Sequence, residues 1–260
     1  MVAIVYSIVV FMACLLGPIV GLGGGVFIRP IFDAFGFHYV SHIAFYSSTA
    51  ILAMAIVSTA KKMKDGMAIE AKIAVLISLG AVVGGMFGDR VLHHLIYRMY
   101  AESSVQFVQV VVTITFMVLA IAATVKKGLR YEVKSNIARL LIGFALGTIA
   151  TFLGIGGGPI NVPILMILFG MPIKTATAYS VVIIFFSHFS RLITIGVVSG
   201  YSQFDLSLVP FLLISAAIGG LIGANLSRIL SEKAVQRAFI GALLGVIAIN
   251  AYNGIVIITG

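Results

Sequence analysis

Charged side chains are scarce in this chain. Only 10% of its 260 residues are Asp, Glu, Lys or Arg, where a soluble domain carries about a quarter. Hydrophobic residues make up 61%, and the mean hydropathy is +1.18. Water is therefore not the main solvent, and a single multi-helix membrane domain is expected. Cysteine is nearly absent too. Cys14 stands alone in an apolar run, which excludes an internal disulfide and leaves no second thiol for a metal site. No ATP-binding motif is present, and the apolar stretches hold neither a paired acid and base nor a metal-ligating cluster. A non-enzymatic chain without cofactor or metal is expected. The first 20 residues lack a basic n-region and a small-residue cleavage pattern, so they read as the first membrane helix.

The few charges are mostly positive: 17 Lys and Arg against 8 Asp and Glu, a net +9. They are not interleaved with aromatics, which argues against a nucleic-acid partner. Most fall between apolar stretches, where the positive-inside rule places them. A net positive protein also suits a small anionic substrate, with the lipid bilayer as its other partner.

Eight long apolar stretches occupy roughly 2–20, 43–60, 68–90, 103–125, 136–153, 175–198, 205–227 and 234–258. A helix needs about 20 apolar residues to cross the hydrocarbon core, so each is a candidate span. Two shorter stretches, about 26–37 and 159–172, are marginal. They read as re-entrant or short helices buried among the others. The expected fold is an all-α polytopic membrane helix bundle of eight long and two short helices in a cell inner (plasma) membrane.

The chain repeats itself. GLGGGVFIRP at 21–30 and GIGGGPINVP at 154–163 place Gly21, Gly23, Gly24, Gly25 and Pro30 on Gly154, Gly156, Gly157, Gly158 and Pro163, an offset of 133. Tyr46-Ser47 falls on Tyr179-Ser180 at the same offset, and Gly84-Gly85 on Gly219-Gly220 at 135. This gives an N-terminal repeat at 1–128, a C-terminal repeat at 135–260 and a basic linker at 129–134, within the run KKGLRYEVK that starts at Lys126.

Loop charges choose between orientations of the halves. With eight spans the cations divide almost evenly between the two sides. With ten, the second half is inverted, and Lys61, Lys62, Lys64, the linker cations, Lys174, Arg228, Lys233 and Arg237 share one face. The inverted arrangement obeys the charge rule better and is expected here, with both termini outside.

Four glycines in five residues do not make a comfortable helix interior, since each costs about 1 kcal/mol relative to Ala. In lipid the freed amides must also find partners. Glycine permits positive φ and removes the side-chain shield, so successive N–H groups can converge on an anion. A helix starting after each cluster would aim the positive end of its dipole at the same spot. Two such breaks, one per half, would meet near the midplane, where carrier sites are built. Gly80, Gly84 and Gly88, with Gly143, Gly147, Gly219 and Gly223, read instead as close-packing positions.

The doubled GxGGGxxxxP motif, with the runs GAVVGGMFG (80–88) and AAIGGLIGA (216–224), resembles the sulfite exporter TauE/SafE family over essentially the whole chain. The resemblance implies a multi-pass carrier for small sulfur-containing anions such as sulfite or sulfonates, sulfoacetate among them.

Polar groups inside the spans complete the expected site. Ser180, Ser187 and Arg191 share a stripe of one apolar helix, with His188 alongside. Hydroxyls and a guanidinium suit an oxyanion, while a snorkelling Arg191 is an equal alternative. The expected substrate-binding set is Gly23, Gly24, Gly25, Tyr46, Ser47, Gly156, Gly157, Gly158, Asn161, Tyr179, Ser180 and Arg191. His42, His188 and Arg29 are candidates for proton coupling or gating. Asp33 is expected to pair with Arg29, and Asp89, Arg90, His93 and His94 read as a helix end and loop. The expected activity is alternating-access transport of a sulfite-like or organosulfonate anion, driven by an ion or proton gradient. An anion channel and a carboxylate carrier are the alternatives.

Overall fold

The computed structural model describes residues 2–67, 69–99, 102–125, 131–153, 157–198 and 200–259. All regular structure among them is helical. The first half contributes α1 (Val2–Val20), α2 (Gly25–Phe35), α3 (Val40–Lys64), α4 (Ala71–Met99) and α5 (Glu102–Val125). The second contributes α6 (Asn136–Leu153), α7 (Gly158–Leu168), α8 (Ile173–Val198), α9 (Val209–Ile229) and α10 (Glu232–Thr259), with a 3-10 turn at Leu206–Leu208 before α9. Among the described residues seven helices are long and apolar enough to cross a membrane, with α6 slightly shorter. One loop expectation fails. Asp89, Arg90, His93 and His94 lie inside α4, which continues to Met99, because none of them breaks a helix.

The two short helices have 11 residues each, about 16 Å or half the hydrocarbon thickness. They exist because they are packed inside protein. Ile28 and Phe32 of α2 are fully buried in one apolar cluster with Tyr6, Ile51, Ile184 and Leu212. Val162 and Leu165 of α7 are fully buried in another with Ile77, Met117, Phe239 and Leu243. Burial of large apolar side chains at about 1.5–3 kcal/mol each outweighs the amide bonds that Pro30 and Pro163 remove from these helices.

Glycine rows decide which long helices touch. A Cβ at Gly80 would meet Leu140 and Phe144, at Gly84 Phe144, and at Gly147 Ala81. Rising numbers on both helices make α4 and α6 parallel and nearly in backbone contact. Likewise Gly219 faces Phe11 and Leu15, and Gly223 faces Leu15 and Pro18, so α9 runs parallel to α1. The first helix of each half thus packs on the fourth helix of the other.

The third helices run antiparallel. Tyr46, near the start of α3, bonds Asp205 in the loop after α8. Tyr179, near the start of α8, bonds Glu70 in the loop after α3. One end of the bundle gathers cations: Lys61 and Arg228 bridge Asp65 at 2.6 and 3.3 Å, and Lys174 donates to the carbonyls of Arg228 and Leu230. Linker residues Tyr131 and Val133 join this end through the carbonyls of Ile167 and Leu168. The other end gathers aromatic and imidazole rings, with Tyr6 stacked on Phe32 at 3.6 Å and Phe45 on Phe204 at 4.2 Å.

Gly84→Ala should destabilise the protein by about 1–3 kcal/mol, because its Cβ lands on backbone that has nowhere to move. Gly241→Ala, which meets open space, should be neutral or stabilising by up to about 1 kcal/mol. Thermal melting in detergent micelles measures both.

Candidate functional site: the paired glycine breaks

Helix α1 stops where the backbone turns left-handed. Gly21, Gly23 and Gly24 have φ of 72, 75 and 71°, a region costing a residue with a Cβ about 1–2 kcal/mol. The turn folds α2 back beside α1, so that a Cβ at Gly24 would sit 3.1 Å from the carbonyl oxygen of Ala13. Gly25 has ordinary helical geometry and serves a different need: its Cβ would lie 2.7 Å from the Ile51 side chain, halfway along α3. Phe27 and Ile28 both donate to the Gly24 carbonyl. Among the described residues, the amides of Leu22, Gly23 and Gly24 meet no backbone carbonyl, and Gly25 and Val26 stand in the first turn, whose donors have no intrahelical partner.

The second break is similar in shape and poorer in donors. Gly157 caps α7 with φ 83°, and its carbonyl accepts from Ile160 and Asn161. Pro159, near the start of α7, has no N–H to offer. Gly156 lies outside the described residues. Asn161 is buried, its amide group close to Gly157.

The two breaks touch. Gly158 lies against the Leu22 backbone so tightly that no Cβ fits, and a Cβ at Gly21 would lie 2.8 Å from both Val162 and the Thr177 backbone. Ser180 of α8 fastens the first break by donating its hydroxyl to the Gly21 carbonyl at 2.7 Å. Gly23 faces Ile184, near the middle of α8. This is the centre of the bundle, flanked by both apolar clusters.

Other expected site residues lie elsewhere. Tyr46 and Tyr179 hold loops at opposite ends of the bundle. The Tyr46 hydroxyl donates to the Asp205 carbonyl at 3.3 Å and accepts the Asp205 amide at 3.1 Å. The Tyr179 hydroxyl accepts the Glu70 amide at 2.7 Å. Ser47 donates to Ala44 within its own helix. The α8 stripe divides: His188 is buried on Ser48 at 3.1 Å, Ser187 bonds Ile183, and Arg191 is exposed. Eleven residues separate Arg191 from Ser180, about 16 Å along the helix. Arg29 is half-buried on α2, and the Asp33 side chain lies outside the described residues. His42 sits in the ring cluster at the loop end, its Nε2 3.1 Å from the Gln203 carbonyl. Beside it, partial burial and the proximity of His42 hold the His38 imidazole below its ordinary pKa, so it is neutral at pH 7.

The family profile described as Sulfite exporter TauE/SafE matches residues 6–250. The chain belongs to the sulfite exporter TauE/SafE family. It is a multi-pass membrane transporter of that family. It is similar to a protein named "Probable membrane transporter protein YunE" from Bacillus subtilis (strain 168), with 25% identity over 246 residues, covering 84% of this chain and 86% of the relative. No solved structure matches.

For this TauE/SafE chain, sequence reasoning passed over Glu70 and Asp205 as the partners of the repeated tyrosines, and Ser48 as the partner of His188. The signal was present for the first pair, since Glu70 and Asp205 stand at offset 135, like the glycine rows. Lys62 was read as a loop cation. It is buried at 4% exposure, its ammonium on the Pro18 carbonyl at 2.7 Å.

Tyr46→Phe should loosen residues 201–208 and Tyr179→Phe residues 66–70, each by about 0.5–1.5 kcal/mol for the lost hydrogen bond. Amide exchange, faster in one loop per variant, reads this. The Asp205 carboxyl, which accepts the Ser207 amide at 2.9 Å, is held below the usual carboxylate range chiefly by its bonds to Ser207. Its contribution is full above the unfolded pKa and fades as pH falls through the lowered folded value. Protection of this loop, measured against the intrinsic exchange rate at each pH, should therefore fall on acidification in wild type, and less so in Asp205→Asn.

Proposed function

We propose that the protein is a secondary carrier of a small sulfur oxyanion, sulfite or an organosulfonate such as sulfoacetate, bound between the paired glycine breaks and moved by alternating access. The observation that carries this reading is the contact of Gly158 with Leu22 and of Gly21 with Val162, which brings both breaks to one point inside the bundle. Amides of Leu22, Gly23, Gly24 and Gly25 and the amide group of Asn161 supply donors without a full cation. Such a set suits a solute that must also be released.

Gly21, Leu22, Gly23, Gly24, Gly157 and Gly158 are all buried. A solute reaches their amides only when the hairpins of α1–α2 and α6–α7 separate. That requirement favours a carrier over an open pore. The two halves act as inverted repeats, and the antiparallel α3 and α8 form the axis about which the hairpins rock. Ser180 holds the first break in the closed arrangement and exchanges the Gly21 carbonyl for the anion when it binds. The driving force is an ion or proton gradient. The family description and the name of the Bacillus relative support transport as the activity.

Gly23→Ala places its Cβ against the flexible end of Ile184 and should fold, yet slow sulfite and sulfoacetate uptake into proteoliposomes at least about tenfold, given the strained φ and the shielded amides. Uptake at the wild-type rate would remove the breaks as the site. Currents far above carrier turnover would replace the carrier with a channel. For orientation, Lys61→Cys and Lys233→Cys, each made in a Cys14→Ser background, should react with an impermeant thiol reagent from the same side. Labelling from opposite sides would overturn the inverted arrangement.

A further inference from the structure

The cationic end holds a cavity with polar lining. Lys62, Asp65 and Met67 at the end of α3, Lys174 before the start of Tyr179's turn of α8, and Ala224, Ser227 and Arg228 near the end of α9 enclose about 80 Å³. This equals the liquid share of two to three waters at about 30 Å³ each, the space of one small oxyanion. Three cations, Lys62, Lys174 and Arg228, and one carboxylate, Asp65, line it, with Lys61 and Glu232 bonded to lining residues from outside. Lys61 and Arg228 bridge Asp65, and Glu232 accepts the Lys174 amide at 3.3 Å. The ammonium groups of Lys62 and Lys174 rest on carbonyls of Pro18, Arg228 and Leu230. An ammonium has three N–H donors, and these bonds use one on Lys62 and two on Lys174.

Two polar atoms at this cavity lack partners. The Ser227 hydroxyl, on a residue 1% exposed, and Asp65 Oδ2 are buried without a hydrogen bond among the described residues. Buried polar atoms in native proteins are rarely left so. An unspent hydroxyl in a cavity also lined by Lys62, Lys174 and Arg228 suits an acceptor with negative charge, and the free carboxylate oxygen suits an O–H or a water brought with it.

We infer that the cavity between Lys62, Lys174, Ser227 and Arg228 is an oxyanion-binding site, separate from the glycine breaks, taking a small anion that carries a hydroxyl or one water. Its place in the fold gives it a role. Pro18, which holds Lys62, is three residues before Gly21, and Lys174 is three residues before Thr177, which touches Gly21. The site thus stands one helical turn from the breaks on the cationic side, where an anion waits before or after the central contact. The binding claim stands without the transport reading, and only the waiting role rests on it.

Equilibrium dialysis of purified, delipidated protein with radiolabelled sulfite, and separately with inorganic phosphate, tests the site. Wild type should bind, and Lys174→Gln and Ser227→Ala should each weaken binding by about tenfold, as expected for losing a bond to a charged group. Lys174→Arg should retain it, and Gly23→Ala should leave this component intact while transport falls. Adding phosphatidylglycerol micelles separates the sources: displacement of the bound ion identifies a lipid headgroup phosphate as the occupant, and no displacement identifies a free anion, with the oxyanion site upheld in both cases. Affinity and stoichiometry unchanged in both Lys174→Gln and Ser227→Ala would overturn the proposal, and Ser227→Ala is small enough to fold if the lysine variant does not.

Discussion

The architecture depends on one constraint: a backbone that leaves its helix inside a bilayer must be enclosed by protein. Both glycine breaks meet that constraint by leaning on each other. Gly158 accepts the Leu22 backbone where a side chain would stand, and the Ser180 hydroxyl takes the carbonyl of Gly21. Neither short helix can be explained apart from this contact, since each spans only about half the hydrocarbon layer. The apolar faces of α2 and α7, with Phe32 and Leu165 fully buried, are what hold the breaks at depth.

Around that contact the long helices are arranged by small residues. Rows of glycine bring α4 onto α6 and α1 onto α9 at distances that admit no methyl group, the packing that bilayers favour where apolar surface alone gives little preference between neighbours. Thr148 adds a polar link by donating to the Gly84 carbonyl at 3.0 Å. The polar side chains divide by end. Tyrosine hydroxyls fasten one loop at each end, imidazoles cluster with aromatic rings at one, and ammonium and guanidinium groups share carbonyls and Asp65 at the other.

Much of this was legible in the residues. Apolar runs located the ten helices of the described residues to within a few positions, except that α4 continues nine residues past its expected end to Met99, and the helix ends at Val20 and Leu153 agree with the boundaries read from hydropathy. The repeated glycines identified the breaks, because a composition so hostile to helix has few other uses in a membrane. What a repeat does not encode is the partner. Tyr46 and Tyr179 recur beside the breaks in sequence, yet the start of each helix lies at a bundle end, where their hydroxyls meet the opposite loop. A helical wheel put Ser180, His188 and Arg191 together because it knows angle and ignores height. Along α8 the first meets Gly21, the second Ser48, and the third is exposed. Lys62 was misread for a related reason: its position at a helix end hid the fact that its ammonium reaches inward to Pro18.

The exchange of partners between halves has a developmental consequence. Helix α1 finds its closest surface on α9, and α4 finds its own on α6, so the N-terminal half emerging alone from the ribosome presents two glycine-lined faces with nothing to lie on. Each half covers the glycine face that the other leaves open.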